Sequence, residues 1–304
     1  MLEKRGNIKV KSLGNRKETV YDIEVKNNHN FFANDILVHN SVYISIKNIV
    51  NKKCPNGTRD EKLEFCDNFA KHVIERILRE KFEAMKDYMN CYSGNMRMTR
   101  EVIANKAIWC KKKRYAMSVL DNEGYRYQTP NIKISGLEII KSNTPKFCAK
   151  ELKEIVGDIL KEVPEQQVVD RIDKFEDLYK QTHISEISQN TSVNYIEKYL
   201  DNGYHTKGAQ AHIRAAINYN RYIKENDLDF EEIYEGDKIK IVPLIEPNPV
   251  GDNYIGFINQ FPEELTEFID YKESFKKTFT TPLEKVTTVI NWDLKPQSSA
   301  AGLF

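Results

Sequence analysis

Four side chains near the start of the chain could together break and remake a peptide bond. Asn40 is preceded by His39 and followed by Ser41, and a second histidine, His29, lies ten residues upstream of His39. The Asn40 amide could attack its own carbonyl, forming a succinimide and releasing the chain from Ser41 onward, and the Ser41 hydroxyl could accept an acyl chain. Both groups are weak nucleophiles at neutral pH. We therefore expect His39 to protonate the leaving amine or polarise the carbonyl, and His29 to take the amide proton.

The surrounding sequence resembles the C-terminal blocks of inteins, protein insertions that excise themselves by splicing. The resemblance covers residues 1–40 and rests on the apolar block at 20–25 and on the His-Asn-Ser ending. Asp35 stands where glycine is common, which alters a turn but removes no catalytic group. The alternative is a hairpin that happens to carry histidine and asparagine.

The resemblance implies a split intein. The segment begins at Met1 without the half that carries the first nucleophile, so we expect that half on a second polypeptide. Splicing would excise the intein fragment after Asn40 and ligate Ser41 to the partner chain.

A second stretch with chemical content is the basic run from Lys111 to Arg114, which Tyr115 follows. Four cations flanked by aromatic residues at the start of a strand can lie along a phosphate backbone. The alternative is a solvated, charged surface without a ligand.

The basic run lies in a longer segment that resembles the palm-to-thumb region of family B DNA polymerases, with the nearest likeness to the replicative polymerases of T-even-type bacteriophages. The likeness extends over residues 41–304. The stretches that carry it are residues 108–116, 134–138, 141–146, 212–214, 218–220 and 242–244.

This likeness explains the position of the splice junction. In that family Ser41 would directly follow an Asp-Thr-Asp triplet that carries a metal-binding carboxylate, but here Asn40 occupies the preceding position. Nucleotide addition to the primer uses two Mg²⁺ ions and a dNTP substrate. The resemblance therefore implies that this chain holds no complete metal site, that the main aspartate ligands lie on the N-terminal polymerase half, and that this chain alone is inactive.

The resemblance also assigns DNA-binding and acidic residues. Lys112, Lys113, Arg114 and Tyr115 match the family's KKRY motif, which grips the primer strand near its 3′ end. Glu101 matches an acidic palm residue near the metals, although Thr99 replaces the neighbouring acid. The alternative for Glu101 is a structural role.

Further assignments lie in the thumb and the tail. Candidate DNA-backbone contacts in the thumb are His212, Arg214, Asn218, Tyr219 and Asn220, for which internal hydrogen bonding is an equal alternative. Leu303 and Phe304 are candidate anchors for docking into a sliding clamp, and the alternative there is a frayed terminus.

The elements that must position these residues follow from periodicity. Residues 8–10, 20–25 and 36–38 predict short strands, and the alternation at residues 42–47 predicts a half-buried strand. Thr58 and Glu61 form a predicted capping box for a long helix reaching about residue 89. Strands are predicted at 101–104, 114–119, 125–127 and 238–244, with a turn at 121–124, and helices at 145–163, 165–179, 191–200, 209–224 and 262–278.

The predicted fold class is multi-domain α+β. The domains are a small all-β, HINT-type intein fragment (1–40), part of a polymerase palm with an antiparallel sheet and helices (41–144), a mostly helical thumb (145–294) and a tail (295–304).

Composition sets broad limits on this interpretation. There are 46 lysines and arginines against 45 aspartates and glutamates, a formal net charge of +1, so any DNA surface must be a local patch. Five cysteines without metal-ligand spacing fit a reducing cytoplasm, and the sequence lacks an apolar run of membrane-spanning length. We expect a soluble protein of the bacterial host cytoplasm that binds primer-template DNA. The alternative function is an inactive DNA-binding remnant with a non-functional intein fragment.

Overall fold

The computed structural model describes residues 43–94 and 96–294 and, before them, only the backbone of four short strands. These strands are β1 (Lys9–Ser12), β2 (Tyr21–Glu24), β3 (Phe31–Ala33) and β4 (Ile36–Val38). β1 pairs antiparallel with β2, and β3 pairs antiparallel with β4. The strands predicted near residues 8–10, 20–25 and 36–38 are confirmed, whereas β3 was not predicted.

The chain divides into two compact units, residues 1–103 with 120–127 and residues 104–119 with 128–304. Both belong to a mixed α+β protein with antiparallel strand pairs. This confirms the predicted α+β class. The domain boundaries after residues 40, 144 and 294 stay predictions. None of the described helices is long and apolar enough to cross a membrane.

The strand predicted at residues 42–47 is wrong. Residues 43–46 have no regular structure, Ile44 is 53% exposed, and helix α1 begins directly afterwards (Lys47–Lys53). An alternating pattern forms a strand only where a neighbouring strand supplies the ladder hydrogen bonds. Within the described ranges no strand pairs with this segment.

The long helix and its capping box are confirmed. The Thr58 amide donates to the Glu61 carboxylate at 2.7 Å, and the Glu61 amide donates to the Thr58 hydroxyl at 3.3 Å. The helix consists of α2 (Arg59–Phe69), a π-helical turn (Ala70–Ile74) and α3 (Glu75–Tyr88). Its predicted apolar stripe is only partly covered, because Leu63 is buried but Ile77 is 45% exposed.

A three-stranded sheet in the order β5-β6-β7 carries the basic run. Its strands are β5 (Val102–Lys111), β6 (Arg114–Asn122) and β7 (Tyr125–Ser135). Two-residue connections make each neighbouring pair an antiparallel hairpin. At the second connection Glu123 and Gly124 have φ of 52° and 91°, as the tight two-residue turns of hairpins require. The strands predicted here are confirmed and are longer than expected.

The second unit combines helices with a small sheet. The helices are α4 (Lys146–Leu160), α5 (Glu165–Gln181), α6 (Ile184–Ile187), α7 (Ala211–Glu225), α8 (Tyr271–Phe275) and α9 (Thr281–Thr287). The strands are β8 (Gln189–Ser192), the pair β9 (Leu200–Asp201) and β10 (Tyr204–His205), β11 (Lys238–Pro243) and β12 (Tyr254–Phe257), and the sheet order is β12-β11-β8. The helices predicted at 165–179 and 209–224 and the strand predicted at 238–244 are confirmed.

The helix predicted at residues 191–200 is wrong. Its first two residues end β8, which pairs antiparallel with β11 so that Asn190 lies opposite Lys240. Pairing with a strand that is distant in the sequence overrides local helical periodicity, because it satisfies the backbone and buries the sheet face together. Of the predicted helix only a 3₁₀ turn at Glu197–Tyr199 remains.

Two predicted helices differ in detail. The helix predicted at 145–163 is α4, which begins at Lys146 after the N-cap residue Pro145 and ends at Leu160, and the preceding Thr144 hydroxyl donates to the Glu138 carbonyl. The helix predicted at 262–278 is interrupted at Ile269, whose extended backbone bridges to Leu244. A 3₁₀ segment (Glu263–Phe268) precedes the interruption, and α8, a π-helical turn (Lys276–Thr280) and α9 follow it.

The core of the second unit is largely apolar and includes a buried polar cluster around Tyr179. The Tyr179 hydroxyl lies 2.7 Å from the Ser274 hydroxyl and 3.0 Å from that of Thr278. Burial raises the pKa of Tyr179, so its phenol stays neutral and can donate to one neighbour while accepting from another. Among the described residues, the largest fully buried side chains of this unit include Leu152, Ile155, Ile217, Phe257 and Phe279.

Candidate functional site

The basic run forms a tight turn at one end of the three-stranded sheet. Lys112 and Lys113 make the turn between β5 and β6, with Lys111 ending β5 and Arg114 beginning β6. Lys113 has φ of 59°, the left-handed conformation that lets the chain reverse direction here. The three lysines are exposed and Arg114 is half-buried.

The charge of this turn is largely uncompensated. Among the residues that the structure describes, no carboxylate lies within ion-pair distance of Lys111, Lys113 or Arg114. The uncompensated charges of Lys111, Lys113 and Arg114 create a local positive potential, which attracts a polyanion although the whole chain is nearly neutral. The turn can therefore bind phosphates.

Aromatic rings lie beside the cations. Tyr115 follows Arg114 on β6, and its ring centroid is 5.1 Å from that of Trp109 on β5. Trp109 is 43% exposed. Cations next to a partly exposed aromatic pair are a combination that nucleic-acid surfaces use, because phosphates pair with the charges and sugars or bases contact the rings.

Glu101 lies directly before β5, in the other unit, where it lines an acidic cleft of about 570 Å³. Its side chain is exposed, and its backbone carbonyl accepts from the Glu123 amide at 2.7 Å. The other residues lining the cleft are Asp67, Lys71, Glu75, Thr99, Arg100, Glu123 and Gly124.

Arg100 organises this cleft. It was not identified from the sequence, because no local sequence pattern marks such a residue. Its guanidinium donates to Asp67, at 3.0 Å from Nε, and to Asp121, while its backbone amide donates to Glu75 at 2.9 Å. Burial alone would lower the pKa of Arg100, but the hydrogen bonds to Asp67 and Asp121 outweigh it and raise the pKa. The acids are far from residue 100 in the chain, so only the fold brings them together.

Asp121 depends on this arginine. Its carboxylate is 2% exposed and also accepts from the Gly124 amide at 2.9 Å, within the turn between β6 and β7. A buried carboxylate is tolerated when it is paired and hydrogen-bonded. Arg100 therefore fixes the segment that carries Glu101 against both the long helix and the second hairpin turn.

The described residues do not form a complete magnesium site. Within the described ranges no group of three or more histidine, cysteine, aspartate or glutamate side chains has the arrangement to hold a metal ion. Mg²⁺ prefers carboxylate oxygens and water. Of the acids in the cleft, Asp67 is engaged by Arg100, and Glu75 accepts a backbone hydrogen bond.

The candidate residues on α7 divide into internal and external side chains. Asn218 is 2% exposed and its amide donates to the Tyr254 carbonyl at 3.2 Å. The buried Tyr219 donates to the Gln260 carbonyl at 3.0 Å, and the Asn220 amide donates to the Ile233 carbonyl at 2.7 Å. These three side chains join α7 to β12 and to the segments at Gln260 and Ile233, and DNA contact through them stays a prediction.

His212 and Arg214 lie nearer the start of α7 and are half-buried. Arg214 donates to the Asn253 side chain at 2.9 Å and lies 3.5 Å from the Asp252 carboxylate. Burial lowers the pKa of His212, which keeps its imidazole neutral at physiological pH. DNA contact through these two residues stays a prediction.

The remaining predicted site residues lie outside the described residues. These are the splicing residues His29, His39, Asn40 and Ser41 and the clamp-docking residues Leu303 and Phe304. Their roles stay predictions.

The chain is similar to DNA polymerases over most of its length. It is 34% identical over 280 residues to the DNA-directed DNA polymerase of Escherichia phage RB69 and 31% identical over 280 residues to that of Enterobacteria phage T4. Both matches cover 87% of this chain but 31% of the relative, so the chain spans about a third of these polymerases. A DNA polymerase of Thermococcus litoralis is 29% identical over 154 residues, covering 50% of this chain and 7% of the relative. No protein-family model matches the chain.

Proposed function

We propose that this chain is the C-terminal part of a DNA-directed DNA polymerase that becomes active after protein trans-splicing. The observation that carries the polymerase part is the similarity to two phage DNA-directed DNA polymerases over 87% of the chain. The reaction is template-directed addition of deoxynucleotides in phage DNA replication, and the chain alone is expected to be inactive.

The basic turn is the proposed primer-strand contact. Lys112, Lys113 and Arg114 lie together at the exposed end of the sheet, and Tyr115 adds an aromatic ring. Phosphate contacts of this kind fix the register of a protein on DNA without reading its sequence. His212 and Arg214 are proposed as further backbone contacts, and Leu303 with Phe304 as anchors on a sliding clamp.

The splicing part of the proposal rests on the junction at Ser41. The matched share of the chain, 87% of 304 residues, has the length of the segment that follows Asn40. Residues 43–46 alternate like a strand and yet have no strand to pair with among the described residues. Both observations support a junction inside a palm hairpin whose first strand lies on the N-terminal polymerase half.

The proposed excision chemistry uses the four residues before and at the junction. The Asn40 side-chain nitrogen attacks the Asn40 carbonyl carbon, and the bond to the Ser41 nitrogen breaks as His39 protonates the leaving amine. His29 accepts the proton of the attacking amide. Before this cleavage, the Ser41 hydroxyl takes the acyl end of the partner's polymerase part from the first nucleophile of the N-terminal intein half, which is released, and so forms an ester. After the cleavage, the freed Ser41 amine attacks that ester carbonyl, the ester bond to the Ser41 oxygen breaks, and the new peptide bond forms.

Magnesium and the dNTP belong to the completed enzyme. Two Mg²⁺ ions would stabilise charge on the attacking primer oxygen and on the leaving pyrophosphate. In line with the resemblance to family B DNA polymerases, we assign the main aspartate ligands to the N-terminal half and keep Glu101 as a secondary acid.

Co-expression tests the proposal. The partner is a polypeptide that ends its polymerase part in the metal-binding triplet followed by an N-terminal intein half, and the products are analysed by intact-mass spectrometry. We expect a ligated protein that lacks residues 1–40 of this chain. Recovery of both precursors unchanged would instead favour an inactive DNA-binding remnant.

Two variants test the assigned roles. Asn40→Ala should block release of the intein fragment, because its side chain cannot form the succinimide. Ser41→Ala should block ligation but permit cleavage after residue 40. Normal ligation by either variant contradicts the corresponding role.

A further inference from the structure

The backbone at Gly136 packs directly against the basic turn. A Cβ atom built on Gly136 would lie 2.1 Å from the Lys113 carbonyl oxygen and 3.2 Å from Cγ of Arg114. Real Cβ contacts essentially never fall below 3.0 Å, and the nearest atom belongs to backbone rather than to a flexible side chain. A residue with a side chain at position 136 must therefore displace the turn or itself.

Position 136 has little freedom to move away. It follows β7 directly, and the next residues include Leu137 and Ile139, which are both buried in the core of this unit. Because a packed core resists displacement, the exposed turn is the part that would yield. The turn also holds Lys113 in a left-handed conformation with φ of 59°, which leaves few alternative backbone arrangements.

From these contacts we infer that Gly136 is a positioning residue that fixes the Lys112–Lys113 turn for contact with DNA phosphates. The inference rests on the proposed DNA-binding role of the turn. Gly136 acts through the turn and does not itself touch the nucleic acid. Its absent side chain lets the Lys113 carbonyl approach, and that approach sets the direction in which the two lysines and Arg114 extend.

The test measures how tightly the purified chain binds a labelled primer-template duplex at several salt concentrations. The fluorescence anisotropy of the duplex reports the binding. Each lost phosphate contact lowers the steepness of log K against log[salt] by about 0.9. We expect Gly136→Ala to weaken binding several-fold and to reduce that steepness by about 1, because a lysine no longer reaches its phosphate.

Gly236→Ala is the matched control. Gly236 also has positive φ, 90°, but nothing lies within 4 Å of a Cβ built there. A residue with a side chain tolerates a φ near 60°, as at position 136, better than a φ near 90°, as at position 236. The backbone strain of an alanine is therefore at least as large in Gly236→Ala as in Gly136→Ala. We expect its affinity and salt dependence to equal those of the unmodified chain.

Lys113→Ala separates failure of the inference from failure of the proposed function. It should weaken binding and reduce the salt dependence, because it removes one cation of the turn. If Lys113→Ala leaves binding unchanged, the turn is not a DNA contact and the proposed role fails. If Lys113→Ala weakens binding while Gly136→Ala behaves like Gly236→Ala, only the positioning inference is overturned.

Folding is checked by circular dichroism and urea unfolding. If Gly136→Ala does not fold, Gly136→Asn replaces it, because asparagine tolerates positive φ while keeping the intruding Cβ. The same loss of affinity and salt dependence is expected. If neither variant folds, Gly136 serves the fold instead of the turn, and the inference is overturned.

Discussion

Burial distinguishes polar side chains that stabilise the fold from polar side chains that are available to bind a ligand. Asn218 and Tyr219 are buried on α7 and bond to backbone carbonyls, so they hold the fold together. Lys111 at the end of β5 and Lys113 in the following turn are exposed and, within the described ranges, have no acidic partner. A residue type alone does not distinguish these cases, because asparagine and tyrosine contact DNA phosphates in other settings.

His212 provides a pH test at this scale. Burial lowers the pKa of His212 below the ordinary value of 6.5, so His212 binds a proton more weakly in the folded chain than in the unfolded chain. Its contribution to stability is therefore present above about pH 6.5 and lost as the pH falls through the lower folded pKa. We expect the free energy of unfolding to fall between about pH 7.5 and pH 5.5, and to fall less in His212→Asn.

Urea unfolding of both proteins at the two pH values measures this difference. Contributions of the other titratable groups cancel when the two proteins are compared, since they are common to both. Equal losses of stability in the two proteins would show that His212 does not titrate differently on folding.

At the scale of elements, local signals define where helices and turns begin, while strands need partners. The capping box at Thr58 and Glu61 starts the long helix where the sequence predicts it. Residues 43–46 have a strand's alternation but, in the described part of the chain, no neighbouring strand, and they stay irregular. Residues 191–200 have a helical periodicity, yet the first two of them end β8, which pairs with β11.

The capping box gives a stability prediction. Thr58→Ala removes the oxygen that accepts from the Glu61 amide, and losing such an N-cap costs about 1 kcal/mol. Urea unfolding monitored by circular dichroism measures the change. Thr58→Ser keeps the hydroxyl and serves as the control, with a much smaller loss expected. Equal losses in the two variants would mean that the cap contributes little.

At the scale of the whole molecule, the two units are completed to different degrees. The second unit has a continuous core in which Tyr179 and Phe279 are fully buried. In the first unit the long helix buries Leu63 and Ala70, but α3 buries none of its residues. An amphipathic helix gains most of its stability from covering its apolar face. α3 therefore gains less of its stability from packing than the buried helices of the second unit do.

Primer extension tests the proposal at this scale. The purified chain should not extend a primed template in the presence of Mg²⁺ and dNTPs, because its metal-binding aspartates are proposed to lie on the partner. The ligated product should extend it, and the mixture containing Asn40→Ala should not reach the same rate. Extension by the unligated chain at the rate of the ligated product would contradict the proposal.

Much of the architecture was predictable because its signals are local. The capping box, the turn at residues 121–124 and the strands of the three-stranded sheet depend on neighbouring residues, and the structure has them where the pattern indicates. The basic run could be identified from the sequence for the same reason, because its residues are adjacent. Its position at the end of a hairpin could not be, since a charge run has the same sequence on a strand and in a turn.

The sequence by itself determined the candidate splice junction and the basic run, since both consist of adjacent residues whose chemistry does not depend on distant parts of the chain. The tertiary structure decided which polar residues of α7 are internal, how Arg100 joins Asp67 to Asp121, and why position 136 carries no side chain. These features depend on burial and on contacts between residues far apart in sequence. Burial and such contacts arise only when the chain packs.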